Sequence, residues 1–189
     1  VSFILSGSEV GLVEEILGED DSEHPLYGRN IIKIVMERLD KNRAMEFLNK
    51  GFEQINFKIN PDDVEEAIKE LGGLIGWLTL YGYEKGIMKN KDALGKTTEV
   101  AARIAGTELA HFFKKTKNKK LYISILRNAS GGITWTELKE RVKKDLGKQL
   151  NPSLLTFAIK RLMNYSFLEK KNNEYYLSDP LLLKASFLI

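Results

Sequence analysis

Residues 121–178 leave the chain the least freedom, because three helical segments with distinct start and stop signals run directly into a turn-centred pair of strands. The first segment, residues 122–128, leads through Gly131-Gly132 to a second that opens on Thr134 or Thr136, runs to Lys144 and breaks at Gly147. Asn151-Pro152 then starts a third, residues 153–165, with an Asn cap and a Pro whose fixed φ suits the first turn. Residues 167–171 and 174–178 flank Asn172-Asn173, which reads as a β-hairpin. Three helices followed by a hairpin make a winged helix-turn-helix.

The preceding residues carry a different pattern. Residues 1–5 are continuously apolar apart from Ser2 and predict a buried strand, followed by the turn Ser6-Gly7-Ser8 and a short helix over 10–17 stopped by Gly18. After the acidic loop 19–23, residues 31–36 form a second apolar run whose β-branched Ile31, Ile32, Ile34 and Val35 predict another buried strand. Asp40 caps a helix expected to reach about Asn49, with Gly51 as its stop. Two strands buried on both faces suit part of an α/β sheet, which two strands do not complete. Asn60-Pro61-Asp62-Asp63 opens a helix ending at Gly72-Gly73, residues 74–83 predict a Gly-punctuated helix, and Asp92 begins a long one to about Lys115.

The expected fold class is therefore mainly α (α+β): a remnant of an α/β nucleotide-binding core over residues 1–59, a helical lid subdomain over 60–113, and a linker with the winged helix over 114–189. The start at Val1 without an initiator Met predicts a piece of a longer protein. No run of apolar residues approaches the ~20 needed to span a bilayer, so no membrane partner is expected. The absence of cysteine excludes disulfides, thiolate zinc sites and cysteine nucleophiles, and suits a cytoplasmic protein.

Charge is divided unevenly. Residues 1–95 hold 11 Lys/Arg against 18 Asp/Glu, whereas residues 96–189 hold 18 against 8. Asymmetry of this kind directs attention to an anionic partner for the second half. Residues 114–120 alone contain five lysines, however, and there a solvated linker is sufficient explanation; residues 121–189 carry 11 Lys/Arg and 6 Asp/Glu.

Catalytic signatures are sparse. Leu94-Gly95-Lys96-Thr97 imitates the end of a phosphate-binding loop, but the first glycine of that pattern is replaced by Asn90 and the string follows helical sequence. His24 and His111 lie far apart and outside any metal-ligand spacing. Loop 19–23 lacks the glycine and spacing of a calcium loop. No catalytic residue, metal site or cofactor site is expected in this stretch of chain.

The third winged helix offers a binding face. Leu155, Ala158, Ile159 and Leu162 form its inward stripe, which leaves Ser153, Thr156, Lys160 and Asn164 toward solvent and Arg161 at the flank. In helix-turn-helix proteins this face enters the major groove, and Lys170 and Lys171 at the wing add phosphate contacts. Phe157, with Leu154, falls near the same side and suits a protein interface better. Double-stranded DNA and a protein partner or self-association both remain open at this point.

Several strings taken in order resemble the archaeal ATPases of the STAND branch of the AAA+ class, also called DEXX-box ATPases. The resemblance rests on Phe3-Ile4-Leu5-Ser6-Gly7-Ser8, on Pro25-Leu26-Tyr27-Gly28-Arg29, on Leu71-Gly72-Gly73-Leu74-Ile75-Gly76-Trp77-Leu78 and on Ser178-Asp179-Pro180-Leu181-Leu182. It covers essentially the whole chain and matches the C-terminal half of such proteins. It implies an N-terminal P-loop core, absent here, that binds ATP and Mg²⁺, so that the full-length parent is an ATPase while this part is not itself an enzyme. It further implies that Ser6 or Ser8 sits near the sensor position, that Arg29 senses the γ-phosphate, and that Gly73, Ile75, Gly76 and Trp77 belong to lid helices closing over adenine. Ile75 replaces the family's proline and His24 its serine, which bears on whether this lid touches nucleotide. The leading expectation is a regulatory part that couples nucleotide state to a winged helix. The alternatives are a free-standing winged-helix DNA-binding regulator and a winged helix used for protein docking.

Overall fold

The computed structural model describes residues 4–7, 10–18, 22–34 and 36–189. The chain is mainly helical, with one small sheet among the described residues, and it divides into two compact units. One comprises residues 36–116 and 179–189, the other residues 117–178 together with those up to 35. This division differs from the expected boundaries, because the last eleven residues belong with the helical segment rather than with the winged helix.

The helical unit contains α2 (Lys41–Gln54), α3 (Pro61–Leu71), α4 (Ile75–Gly82), a π-helical turn (Tyr83–Ile87), α5 (Ala93–Lys114) and α9 (Leu181–Ala185). Local signals set its helix starts: the Asp40 and Asn60 side chains accept from the Arg43 and Asp62 amides, and Asp92 accepts from Gly95 N. Gly51 does not stop α2, which runs on to Gln54 because Phe52 beyond it is buried in the core. Ala44, Leu48 and Phe52 of α2 meet Val64, Ala67, Ile68 and Leu71 of α3 and Leu78 and Tyr81 of α4. The Phe52 and Tyr81 rings meet edge to face with centroids 6.3 Å apart, a favoured aromatic geometry. The π turn widens the helix so that Met88 N reaches Tyr83 O at 3.0 Å, and Gly86 there lies where a Cβ would be 2.5 Å from Ile55 Cδ1.

The second unit contains α1 (Val10–Leu17), α6 (Lys119–Asn128), β1 (Ile133–Thr134), α7 (Trp135–Leu146), α8 (Pro152–Asn164), β2 (Leu168–Lys171) and β3 (Glu174–Leu177). The strands pair antiparallel in the order β1-β3-β2, with Leu168 opposite Leu177 and Lys171 opposite Glu174. Asn172 and Asn173 close the hairpin at φ values of 49° and 65°, the doubly left-handed backbone a two-residue turn needs. Thr134 caps α7 reciprocally with Glu137. Leu121, Ile125, Leu138, Val142, Leu155, Ile159, Leu162 and Leu177 fill the core beneath the sheet. The winged helix read from residues 121–178 is thus present.

The strand expected over 31–36 is not formed among the described residues: positions 31–34 and 36 join no sheet, and Ile32, Ile34 and Met36 are exposed. β-Branched composition favours a strand only where a second strand supplies the ladder. The strand expected over 1–5 begins outside the described residues, and its Ile4 and Leu5 carry no pairing.

A candidate nucleic-acid interface and the lid turn

In the winged unit, α8 is positioned from within by Leu155, Ala158, Ile159 and Leu162, all buried, so its opposite face must be solvated. Ser153, Thr156, Phe157 and Lys160 are exposed there, while Arg161 and Asn164 are half-buried at the flank. Phe157 keeps 58% of its surface exposed and Leu154 keeps 38%, so the face is a mixture of polar, cationic and apolar groups. α1 packs against α8 within the unit and leaves these four side chains exposed. Lys170 and Lys171 project from the hairpin, with Lys171 Nζ 3.5 Å from Glu169 and Lys170 Nζ 5.6 Å from the Tyr175 ring centroid.

Trp135 extends this surface, a contribution not read from the sequence. It begins α7, and its Nε1 donates to Thr156 Oγ1 at 3.3 Å while Lys139 Nζ stands 5.7 Å from its ring. A large aromatic directly after a helix cap, at a position outside the inward stripe, was the available signal. The assembly joins one helix face, a wing and the lysines Lys139, Lys160, Lys170 and Lys171, a set that suits phosphate contacts and base-edge readout.

The lid motif is a compact turn in the helical unit. Gly72 and Gly73 both have positive φ, 69° and 74°, and Leu39 N donates to Gly73 O at 2.9 Å. A Cβ on Gly73 would lie 2.1 Å from Leu39 O, so only glycine admits this strand-like approach. Ile75 and Gly76 are exposed at the start of α4. Trp77 is half-buried against the core, and its indole N–H is engaged by Asp179 Oδ2 at 2.8 Å. Burial pushes the Asp179 carboxyl above its ordinary value, opposed by hydrogen bonds from Leu181 N and Trp77 and by the Arg38 charge.

Of the residues assigned to nucleotide sensing, Ser6 and Arg29 are exposed, and Ser8 lies outside the described residues. Arg29 ends a turn in which its amide donates to Leu26 O at 3.1 Å, and among the described residues its guanidinium makes no ion pair.

Gly95-Lys96-Thr97 belongs to helix α5, not to a phosphate loop. The helix N-terminus is occupied by the Asp92 carboxylate, and buried Thr97 donates its hydroxyl to Ala93 O at 2.8 Å. The cavity beside it, about 370 Å³, is lined by the carboxylates of Asp63, Glu66, Glu70 and Asp92 and by Lys85, Lys91 and Lys184, a mixed-charge wall rather than a phosphate loop. Among the described residues no group of three or more His, Asp or Glu side chains is arranged to hold a metal ion, and no helix is long and apolar enough to cross a membrane.

Residues 115–178 match the family model of the MCM protein C-terminal winged helix-turn-helix domain. Among solved structures, the Walker-type ATPase of Pyrococcus abyssi superposes with a TM-score of 0.84 at 29% sequence identity, over 97% of this chain and 52% of that one. The chain therefore spans about half the length of the ATPase it resembles. Among the curated proteins none matches it.

Proposed function

We propose that this chain is the regulatory C-terminal part of an archaeal STAND-type ATPase of the DEXX-box group, in which nucleotide state is coupled to a winged helix that binds duplex DNA. The observation that carries this reading is the similarity to one half of a Walker-type ATPase across both units, not the winged helix alone. In this reading the other half of such a protein holds ATP and Mg²⁺ on its P-loop. The described residues here provide no phosphate cradle, and no hydrolytic step is assigned to them.

Arg29 is the residue to which nucleotide sensing is assigned, with Ser6 and Ser8 in the sensor turn, because an always-charged guanidinium pairs with developing charge on a phosphoryl group. Gly73, Ile75, Gly76 and Trp77 are assigned to the lid, which moves with the bound nucleotide. The cytoplasm, where ATP is available, is the compartment this reading requires. The test uses the full-length ATPase with Arg29→Ala: turnover falling at least tenfold, with unchanged ATP affinity, supports the sensor role, whereas unchanged turnover removes it.

DNA is favoured as the ligand by Ser153, Thr156 and Lys160 on the open face of α8 and by Lys170 and Lys171 on the wing. Anisotropy titration with a labelled duplex at rising salt tests this, since phosphate contacts make affinity fall steeply with salt. A protein partner is the second reading, favoured by the exposure of Phe157 beside Leu154. No duplex binding at low salt, together with loss of a protein partner in Phe157→Glu, would select it.

A further inference from the structure

Two motifs far apart in the chain meet in the helical unit. Trp77 Nε1 donates to Asp179 Oδ2 at 2.8 Å across 102 residues, while Asp179 Oδ1 accepts from Leu181 N at 2.8 Å, so each carboxylate oxygen has its own donor. Pro180 lies on Gly72, where a Cβ would come within 2.9 Å of Pro180 Cγ. Leu181, Leu182, Ala185 and Ser186 are buried, with α9 against α5, and beyond them Phe187 and Leu188 are each 65% exposed. The turn therefore meets an acceptor carboxylate and a proline ring, while α5 takes the helix that carries the buried leucines after them.

We propose that the Gly72–Trp77 turn is an internal docking site for the segment Asp179–Leu182, and that this segment detaches while the rest of the helical unit stays folded. Residues 117–178 are then held by the helical unit at both ends when the segment is docked, and at one end when it is released. Two observations support separate release. Every buried member of the unit's central cluster except Leu181 comes from α2–α5, and α9 joins it last in the chain, by packing on α5. The docked carboxylate also works against burial, which two hydrogen bonds and the Arg38 charge oppose, so the apolar packing of Leu181, Leu182 and Ala185 is what the segment gives up on release. Short elements at the end of a folded unit open locally below the free energy of global unfolding.

This assignment is independent of what the winged helix binds. Its test is amide hydrogen exchange on the whole 189-residue chain. In the unaltered protein, amides of residues 182–186 are expected to exchange at least tenfold faster than the buried amides of α3. In Trp77→Phe, which keeps an aromatic ring but removes the donor, the tail amides should speed up by at least about a further tenfold, the lower end for one hydrogen bond to a charged group, with α3 unchanged. Asp179→Asn should act in the same direction and leaves Trp77 in place should the first variant fold poorly. Exchange of the tail in step with α3 in the unaltered protein, or equal acceleration of both in the variants, would overturn the proposal.

Discussion

Lys85 Nζ stands 2.7 Å from Asp63 Oδ2, and the hydroxyl of Tyr81 donates to the main-chain carbonyl of the same Asp63 at 3.3 Å. The π turn thereby ties itself to the first turn of α3, with Tyr81 buried between them. Burial, reinforced by the negative charges of Asp63 and Glu66, pushes the Tyr81 phenol up to about 12. An acid whose proton is held more tightly in the folded state loses stability as the solution is made alkaline, because the unfolded chain ionises first. Between about pH 10 and 12 the folded protein should therefore lose more stability per pH unit than Tyr81→Phe does. Urea unfolding of both proteins at three pH values in that interval measures this; parallel curves would remove Tyr81 as the cause.

Asp179 behaves in the same sense at the acidic end. Its carboxyl is raised above the ordinary 3.8, so on acidification the folded protein takes up this proton before the unfolded chain does. The contribution of this one group is a gain in stability as pH falls from its raised value through 3.8, and a loss as pH rises back. Asp179→Asn should flatten that dependence. At neutral pH it also leaves one of the two donors, Trp77 Nε1 or Leu181 N, facing an amide NH₂. Chemical unfolding followed from pH 4 to pH 7 in the two proteins provides the comparison.

Gly73→Ala tests the lid turn independently of any nucleotide. The left-handed backbone costs a residue with a Cβ about 1–2 kcal/mol, and here the added carbon would also meet Leu39 O at 2.1 Å. A loss above about 2 kcal/mol is expected, because the second obstacle is main chain and does not rotate away. Gly76→Ala is the control: an added Cβ there meets nothing within 4 Å, and the change should stabilise α4 by up to about 1 kcal/mol.

What the sequence disclosed and what it concealed divide along contact range. Asp40, Asn60, Thr134 and Asn151 announce helix starts because each cap bonds an amide two or three residues away. Asn172-Asn173 announces the hairpin for the same reason. Gly51 misleads, since only the burial of Phe52 carries α2 past it. The π turn is hidden because its widening follows from Gly86 lying against Phe52 and Ile55 rather than from any period in the string. The pairing of Trp77 with Asp179 joins strings that were legible separately as motifs, but their contact is a product of the tertiary fold. The exposed face of α8 was readable from helical period alone, whereas Trp135 reached it from a different helix.

Lysines and the phenylalanine on the winged unit should separate by salt. If Lys160, Lys170 and Lys171 neutralise phosphates of duplex DNA, each alanine substitution should reduce the slope of log affinity against log salt by about 0.9. Phe157→Ala removes no charge, so it should weaken binding with the slope unchanged. That combination would assign the apolar group to base or sugar contact, as expected for a side chain on a groove-reading helix. Titrations at four salt concentrations for each variant supply the slopes. A set of lysine variants that all retain the parent slope would exclude phosphate contact by this face, and with it the use of α8 and the hairpin as a DNA-binding surface.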